Sequence, residues 1–451
     1  MNIKAKIKLL VLGGLLIGAA NQQAAGKPNL EPADTLKTEA AVAVSEAAVT
    51  KEDLEGVRAE VASLNDQLNR KINLNIANTQ RALQIGGNFQ NRFNSVTYTN
   101  NTTVSPYTNS FVFNSVLLSL RGSLRADYDE GRNLDYVVSF QLANPAYSFQ
   151  AADVYLQYSI LQSLDIEKPF LFVQFGQQKK PFGLEPQVQE GFTPVINIAT
   201  FAGALGLASR EIGLQLRGDL FPTVDLGYNF RNPVIQYAVG IFNGSGPNAL
   251  DNNQNKDIAG RIVLNAPVDY NSIIRGLTLG GSIYTGKQDI SKTFGTGASA
   301  VTLKDKSAKV RYGVDLSYVP VRNPIGFTAE YAWGKDDAII GTTAANAVKE
   351  TAKSQGYTIT VFYSFGEQFL KNEINQSRRD DWWPITYQPF VRFDYWDPNT
   401  AVSGNHTTIT TYGFNLFFAQ TTKLQLNYVV TDKKSTKLKQ DDVILQFQYG
   451  F

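Results

Sequence analysis

The sequence contains no cysteine, one histidine and one methionine. The lack of cysteine excludes a disulfide framework, a thiolate metal site and a cysteine nucleophile. His406 is the only histidine. The sequence therefore lacks the residues for a histidine-clustered metal site and for most hydrolases that use a histidine base. We therefore expect no enzyme, no cofactor and no metal ion.

Long apolar runs are absent after the N-terminus. Residues 9–20 are apolar or small and follow three lysines, which is the pattern of a secretory signal peptide. We expect the signal peptide to lie within residues 1–25, with cleavage after Ala20 or Ala25. No later run reaches the roughly 18 apolar residues of a helical span. The exported chain is therefore periplasmic, secreted, or a barrel in the outer membrane of a Gram-negative bacterium.

Neither sign of charge is in large excess, since the chain has 42 lysines and arginines and 40 acidic residues. Three of those lysines lie in the signal segment, so the mature chain is close to neutral. The net charge therefore gives no argument for a nucleic-acid partner, and we expect none.

The segment after the signal peptide changes character at about residue 50. Residues 26–50 have the low-complexity composition of a disordered linker. Residues 51–75 then show apolar positions at alternating spacings of three and four, as on a coiled-coil seam. Because the seam covers only about three heptads, it indicates either a self-associating periplasmic coiled coil or one amphipathic helix at a barrel mouth. The seam residues are Leu54, Val57, Val61, Leu64 and Leu68.

Residues 80–451 follow a hydrophobic period of two, which predicts β-strands with one apolar and one polar face. The segments are about 8–12 residues long and carry aromatic residues near their ends, and the chain ends on Phe451. These features favour an all-β fold, an antiparallel transmembrane β-barrel whose apolar faces meet lipid. A soluble β-sandwich, with the apolar faces buried between two sheets, is the alternative.

Sixteen such segments are predicted, an even number as a barrel with both termini on one side requires. Connections after odd-numbered segments are expected to be long, and those after even-numbered segments short. Because 218–233 and 366–385 are too long for this scheme, eighteen strands is the alternative. The predicted strands are 82–93, 111–128, 134–143, 151–160, 170–176, 210–217, 234–242, 258–265, 277–286, 309–319, 325–334, 355–365, 386–396, 409–419, 422–431 and 441–451.

The third outer connection, residues 177–209, is long and contains the apolar stretch 198–208. Apolar residues on a cell-surface loop would stand in water, so we predict that this loop folds into the lumen and narrows it. Lys179 and Lys180 at its start would then lie near a constriction, where charge acts most strongly on passing ions. Alternatively, the two lysines extend to the outer rim.

Arginines recur on the polar faces of the predicted strands. An arginine facing lipid at mid-depth would cost a few kcal/mol, so we expect these side chains to point into the lumen and to pass anions from site to site. The candidates are Arg121, Arg125, Arg217, Arg261, Arg311 and Arg392. Carboxylates on the same faces could instead neutralise them; these are Asp127, Glu211, Asp315, Glu330 and Asp394.

Four stretches together resemble the phosphate-selective porin O/P family over residues 80–451. They are 175–185 (FGQQKKPFGLE), 210–218 (REIGLQLRG), 237–244 with 256–261 (YAVGIFNG and KDIAGR), and the aromatic C-terminal hairpin. The resemblance implies a sixteen-stranded barrel, a homotrimer, a third loop folded inward and diffusion of small anions.

The residues and the resemblance together predict an outer-membrane porin for small hydrophilic solutes and ions, with a modest anion preference. Its expected partners are outer-membrane lipid, small anions and further copies of itself in a homotrimer. A dedicated phosphate or pyrophosphate channel is the first alternative. A structural or adhesive barrel without a transport role is the second.

Overall fold

The computed structural model describes most of the chain from residue 83 to residue 450. The signal segment, the linker and the coiled-coil seam predicted for residues 1–75 lie outside the described residues. Inside the range, the residues left out are 101–102, 126–132, 144–147, 163–168, 189–192, 226–229, 252, 296–299, 320–322, 367–383, 385 and 419–421.

The described residues form a single antiparallel sheet of seventeen strand segments. β12 and β13 are two pieces of one strand interrupted at Ser364, because both pair with β14; the wall therefore has sixteen strands. The segments are β1 (Leu83–Asn100), β2 (Thr103–Arg125), β3 (Leu134–Ala143), β4 (Ser148–Leu161), β5 (Leu171–Lys179), β6 (Arg210–Asp225), β7 (Phe230–Phe242), β8 (Asp257–Asn265), β9 (Leu277–Phe294), β10 (Val301–Tyr318), β11 (Ile325–Ile340), β12 (Val348–Tyr363), β13 (Phe365–Gly366), β14 (Thr386–Asp397), β15 (Thr407–Phe417), β16 (Lys423–Lys433) and β17 (Leu438–Gly450).

The sheet closes on itself. Each strand pairs with its neighbours in sequence, and β1 pairs with β17 from Asn88 opposite Gly450 to Asn100 opposite Leu438. Closure leaves no strand edge unpaired, which a sheet in hydrocarbon requires. The prediction of a sixteen-stranded antiparallel barrel is confirmed, and the alternative of eighteen strands is wrong.

The two faces of the wall differ as the alternation predicts. On β16, Leu426 and Tyr428 are 46 % and 42 % exposed on the outer face, whereas Gln425 and Asn427 are 1 % and 0 % exposed on the inner face. Apolar side chains thus face outward and amides inward, the reverse of a soluble sandwich. This arrangement suits a barrel surrounded by lipid.

Strand ends depart most from the prediction. The stretch 218–233 is not a long turn, because β6 continues to Asp225 and β7 begins at Phe230. Several predicted outer loops, such as 94–110 and 287–308, are in large part strand. These extensions are rich in Lys, Asp, Thr and Ser on both faces, so they lack the alternation that marks the segment within the membrane.

Helical structure is sparse in the part of the chain that the structure describes. There is one short α-helix, α1 (Thr200–Ala204), and there are two 3-10 turns at Glu185–Gln187 and Ala344–Asn346. None of the described helices has the length and apolar character needed to cross a membrane.

Candidate functional site: a lumen narrowed by a loop

The connection 180–209 between β5 and β6, which we call the inward loop, lies inside the barrel in its described parts, 180–188 and 193–209. Its Phe182 and Phe201 are completely buried and form a cluster with Ala332 on the inner face of β11. The wall is built from small residues at this level: a Cβ added to Gly313 would lie 2.9 Å from the Phe182 ring. Burial of each phenyl ring contributes about 1.5–3 kcal/mol to docking the loop on this side of the lumen.

A carboxylate of the wall holds the first turn of the loop. Glu330 accepts hydrogen bonds from the backbone N–H groups of Leu184 and Glu185, both at 3.1 Å. The backbone N–H of Gly183 donates to Ser282 Oγ at 3.0 Å. Together these contacts satisfy three consecutive N–H groups that the loop brings into the barrel.

The middle of the inward loop is fixed by a buried ion-pair cluster. Arg392 on β14 contacts Glu185 of the loop at 2.8 Å and Asp394 of its own strand at 2.8 Å. Arg392 also donates to the carbonyl of Asn197 at 3.0 Å. Burial raises the pKa of Glu185, while Arg392 opposes that rise. The ion pair with Arg392 thus favours the ionised form of Glu185 against the effect of burial.

The far side of the loop is held by polar groups on β15 and β16. Lys423 Nζ donates to the carbonyl of Thr193 at 2.6 Å. The carbonyl of Pro194 accepts from the amides of Asn415 at 2.8 Å and Gln425 at 3.1 Å. The loop therefore reaches from its origin at β5 and β6 across to the β14–β16 wall.

Lys180, predicted to lie near a constriction, is packed at the root of the loop. Its ammonium group donates to the Gly206 carbonyl at 2.8 Å and the Ser209 hydroxyl at 2.9 Å, and lies 3.6 Å from Glu211. Burial is the main cause that lowers the pKa of Lys180 to about 8, against the opposing effect of Glu211. Lys180 thus fastens the loop and is not among the residues that line the remaining opening.

A cavity, which we call the passage, lies between the inward loop and β1–β3. Its volume is about 340 Å³, enough for about ten water molecules. Three cationic side chains line it: Arg92, Lys179 and Arg210. The lining also contains one acid, Glu185. Polar residues such as Gln90, Ser115, Gln141 and Asn197 and apolar loop residues such as Ile196 and Ile198 complete it.

Three of the six predicted inward arginines are neutralised by carboxylates. Arg261 forms a bidentate pair with Asp315, with its Nη2 at 2.9 Å, and Arg311 lies 2.6 Å from Asp336. These two arginines and Arg392 are therefore buried side chains that a carboxylate neutralises. In contrast, Arg121 and Arg217 face the lumen without an ion pair to any described residue. The side chain of Arg125 and the whole of Asp127 lie outside the described residues.

Arg92 lines the passage although the sequence does not single it out. Asn91 interrupts the apolar face of β1 between Phe89 and Phe93, which obscures the face that Arg92 occupies. Its Nε and Nη2 donate to Gln446 Oε1 on β17 at 3.4 and 3.3 Å. Arg92 has no carboxylate partner among the described residues, so its full charge faces the passage.

Gln446 is the first member of a chain of amides that follows the inner wall away from Arg92. Each amide oxygen accepts from the member nearer Arg92, and each amide nitrogen donates to the next member. The successive donors and acceptors are Gln446 to Gln425 at 3.2 Å, Gln425 to Asn415 at 3.2 Å, Asn415 to Gln388 at 2.9 Å, and Gln388 to the Ser364 hydroxyl at 2.9 Å. We call this run the amide chain.

Gly183 offers a test of how the first turn of the loop is held. Its φ is +69°, and an added Cβ would clash with Glu330 Oε1. We expect Gly183→Ala to accelerate amide hydrogen exchange at Leu184 and Glu185 by about tenfold, because a positive φ and this contact both disfavour alanine. Hydrogen-exchange mass spectrometry measures the effect. Gly203→Ala is the control, since a Cβ there meets nothing within 4 Å; equal exchange in both variants would contradict the prediction.

A closed barrel with a polar interior and a loop docked inside it defines a porin of the outer membrane. The chain belongs to the family Phosphate-selective porin O and P, whose sequence profile matches residues 83–451. This confirms the resemblance found in the sequence. A search of curated protein sequences gives no match.

Solved porins share the fold at very low sequence identity. A loop-deletion mutant of OmpT from Vibrio cholerae has a TM-score of 0.52 at 9 % identity, covering 82 % of this chain and 99 % of the other. OprB from Pseudomonas putida has a TM-score of 0.51 at 9 % identity, covering 88 % and 97 %. In-vitro folded OmpT of Vibrio cholerae in its trimer form has a TM-score of 0.50 at 8 % identity, covering 82 % and 99 %. At these identities the likeness concerns the fold alone.

Proposed function

We propose that the protein is a porin through which small hydrophilic solutes and ions diffuse, with a modest preference for anions. The observation that carries the proposal is Arg92, a charged side chain that lines a wet passage with only a neutral amide as its hydrogen-bond partner. A cation at a narrow point raises the local concentration of anions and lowers that of cations. Lys179 lies in the same lining, whereas Arg210 there is paired with Asp153 at 2.9 Å.

The preference is modest because acids offset much of the positive charge. Arg261, Arg311 and Arg392 are held by carboxylates, so they contribute little net field to a passing ion. A dedicated phosphate channel is the second candidate, and the description of the family favours it. The unpaired Arg121 and Arg217 would provide further anion sites for such a channel beyond the inward loop.

We further propose that both termini lie on the periplasmic side, so that the inward loop enters the barrel from the outer side. A homotrimer is the proposed assembly, supported by the trimer form of the OmpT relative. The mass of the purified protein in detergent tests that assembly.

The zero-current potential of the purified protein in a planar bilayer under a KCl gradient tests the proposed function. We expect a potential that corresponds to chloride carrying more current than potassium. A potential near zero, or one of cation-selective sign, would overturn the anion preference and leave an unselective porin. If the protein forms no channels at all, transport itself is excluded. Block of the chloride current by added phosphate would support the phosphate channel over a general anion porin.

A further inference from the structure

Two lysines face each other on the outer surface of the barrel. Lys335 of β11 and Lys353 of β12 are direct register partners, and both are exposed. Ser354, next to Lys353, is 7 % exposed on the inner face, so alternation directs both ammonium groups outward. Directly opposed side chains have their Cβ atoms about 5 Å apart, and like charges at this position destabilise a sheet.

The described residues do not supply a counter-charge to this lysine pair. Asp337, the next outward residue on β11, accepts from Thr351 Oγ1 at 2.7 Å and lies 3.4 Å from Lys349. Neither Lys335 nor Lys353 makes an ion pair within the described part of the chain. The pair is therefore open to an anion from outside the protein.

Aromatic residues on the same strands indicate the height of the lysine pair relative to the membrane. The register partners below it are Trp333 with Gln355, and below these Tyr331 with Tyr357. The Trp333 ring lies 5.4 Å from Tyr331 and 5.5 Å from Tyr312, measured between ring centroids. Trp and Tyr occupy the headgroup level of a membrane. A step of two residues along a strand adds roughly 7 Å, which puts the ammonium groups at the polar boundary of the lipid.

We propose that Lys335 and Lys353 bind a phosphate group of an outer-leaflet lipid headgroup, a phosphorylated sugar lipid. A phosphate between the two ammonium groups would remove the repulsion and gain charge-assisted hydrogen bonds to both. The outward direction of the side chains favours a lipid over a solute in the lumen. The inference rests on the proposed orientation, in which the end of the barrel that carries the inward loop faces the outer leaflet.

Binding of diphosphoryl lipid A to the full chain in detergent, measured by native mass spectrometry, tests this site. We expect the double variant Lys335→Glu with Lys353→Glu to bind at least about tenfold more weakly than the unaltered protein. The matched control is Lys304→Glu with Lys439→Glu, which changes the net charge equally. Both control lysines are exposed, and Lys439 is opposite Asp432 instead of another lysine. We expect the control to keep its affinity for the lipid.

Equal loss in both double variants would overturn the proposal in favour of general charge attraction. Displacement of the lipid by an equal concentration of inorganic phosphate would also overturn it, because the site would then recognise free phosphate. Absence of lipid binding to the unaltered protein would do the same. KCl conductance is expected to be unchanged in both double variants, so a failure of the lipid site is distinguishable from a failure of the proposed channel function.

Discussion

Replacing Arg392 with methionine is expected to convert a steady open-channel current into one with frequent closures. The substitution leaves the carboxylates of Glu185 and Asp394 buried without their shared counter-charge, and breaking a buried pair in this way costs about 3–5 kcal/mol. The middle of the inward loop would leave the β14 wall and move into the passage, which lies on its free side. Single-channel recording in a planar bilayer measures the closures and the fall in mean current.

Arg231→Met is the matched control for this experiment. Arg231 forms an equally close pair with Asp219, at 2.6 Å, and both side chains are largely buried. This pair joins β6 to β7 and does not touch the inward loop, so its loss should leave the current steady. A steady current in Arg392→Met would show that the ion-pair cluster does not hold the loop away from the passage.

The second large effect is expected from Arg92→Gln, which should lower the chloride-to-potassium permeability ratio by about tenfold. One charge acting on an ion about 6 Å away in a water-like medium contributes roughly 0.7 kcal/mol, about threefold, and it acts on chloride and potassium with opposite sign. Glutamine keeps the polarity and most of the length of the side chain, so the width of the passage changes little. The shift in zero-current potential under a KCl gradient measures the ratio.

A lysine on the outer face provides the control for charge. Lys287→Gln removes the same charge from an exposed position on β9, where it does not border the passage. It should leave the permeability ratio unchanged. If Arg92→Gln and Lys287→Gln give the same ratio as the unaltered protein, Arg92 is not a determinant of selectivity.

The strands and their inward faces could be predicted from the sequence because lipid imposes a strict alternation on a barrel wall. The alternation placed Arg261, Arg311 and Arg392 on the lumen side, where the structure has them. Two of the carboxylates named as possible partners, Asp315 and Asp394, do pair with Arg261 and Arg392. Glu185 could not be predicted as the second partner of Arg392, because the two residues are separated by 207 positions. Strand ends were also missed, because a strand that extends into water has no lipid-facing side to mark it.

The position of the inward loop could be predicted from the sequence only in part. Its apolar stretch indicated burial inside the barrel, since such residues are costly in water. The wall against which it packs depends on small residues such as Gly313 and Ala332, which belong to strands far along the chain. Nothing in the loop itself specifies that wall. For the same reason the sequence did not show that Lys179 both lines the passage and donates to the Val188 carbonyl of the loop, whereas Lys180 fastens the loop at its root.

The amide chain explains how the guanidinium group of Arg92 is tolerated inside the barrel without a carboxylate partner. An ion that leaves bulk water loses favourable hydration, and a carboxylate would restore that energy but cancel the charge. Aligned amides offer another solution, because their carbonyl ends turn toward Arg92 and their dipoles reinforce one another along the hydrogen-bonded run. The wall thereby solvates the cation in place of water while its electric field still reaches the passing ion.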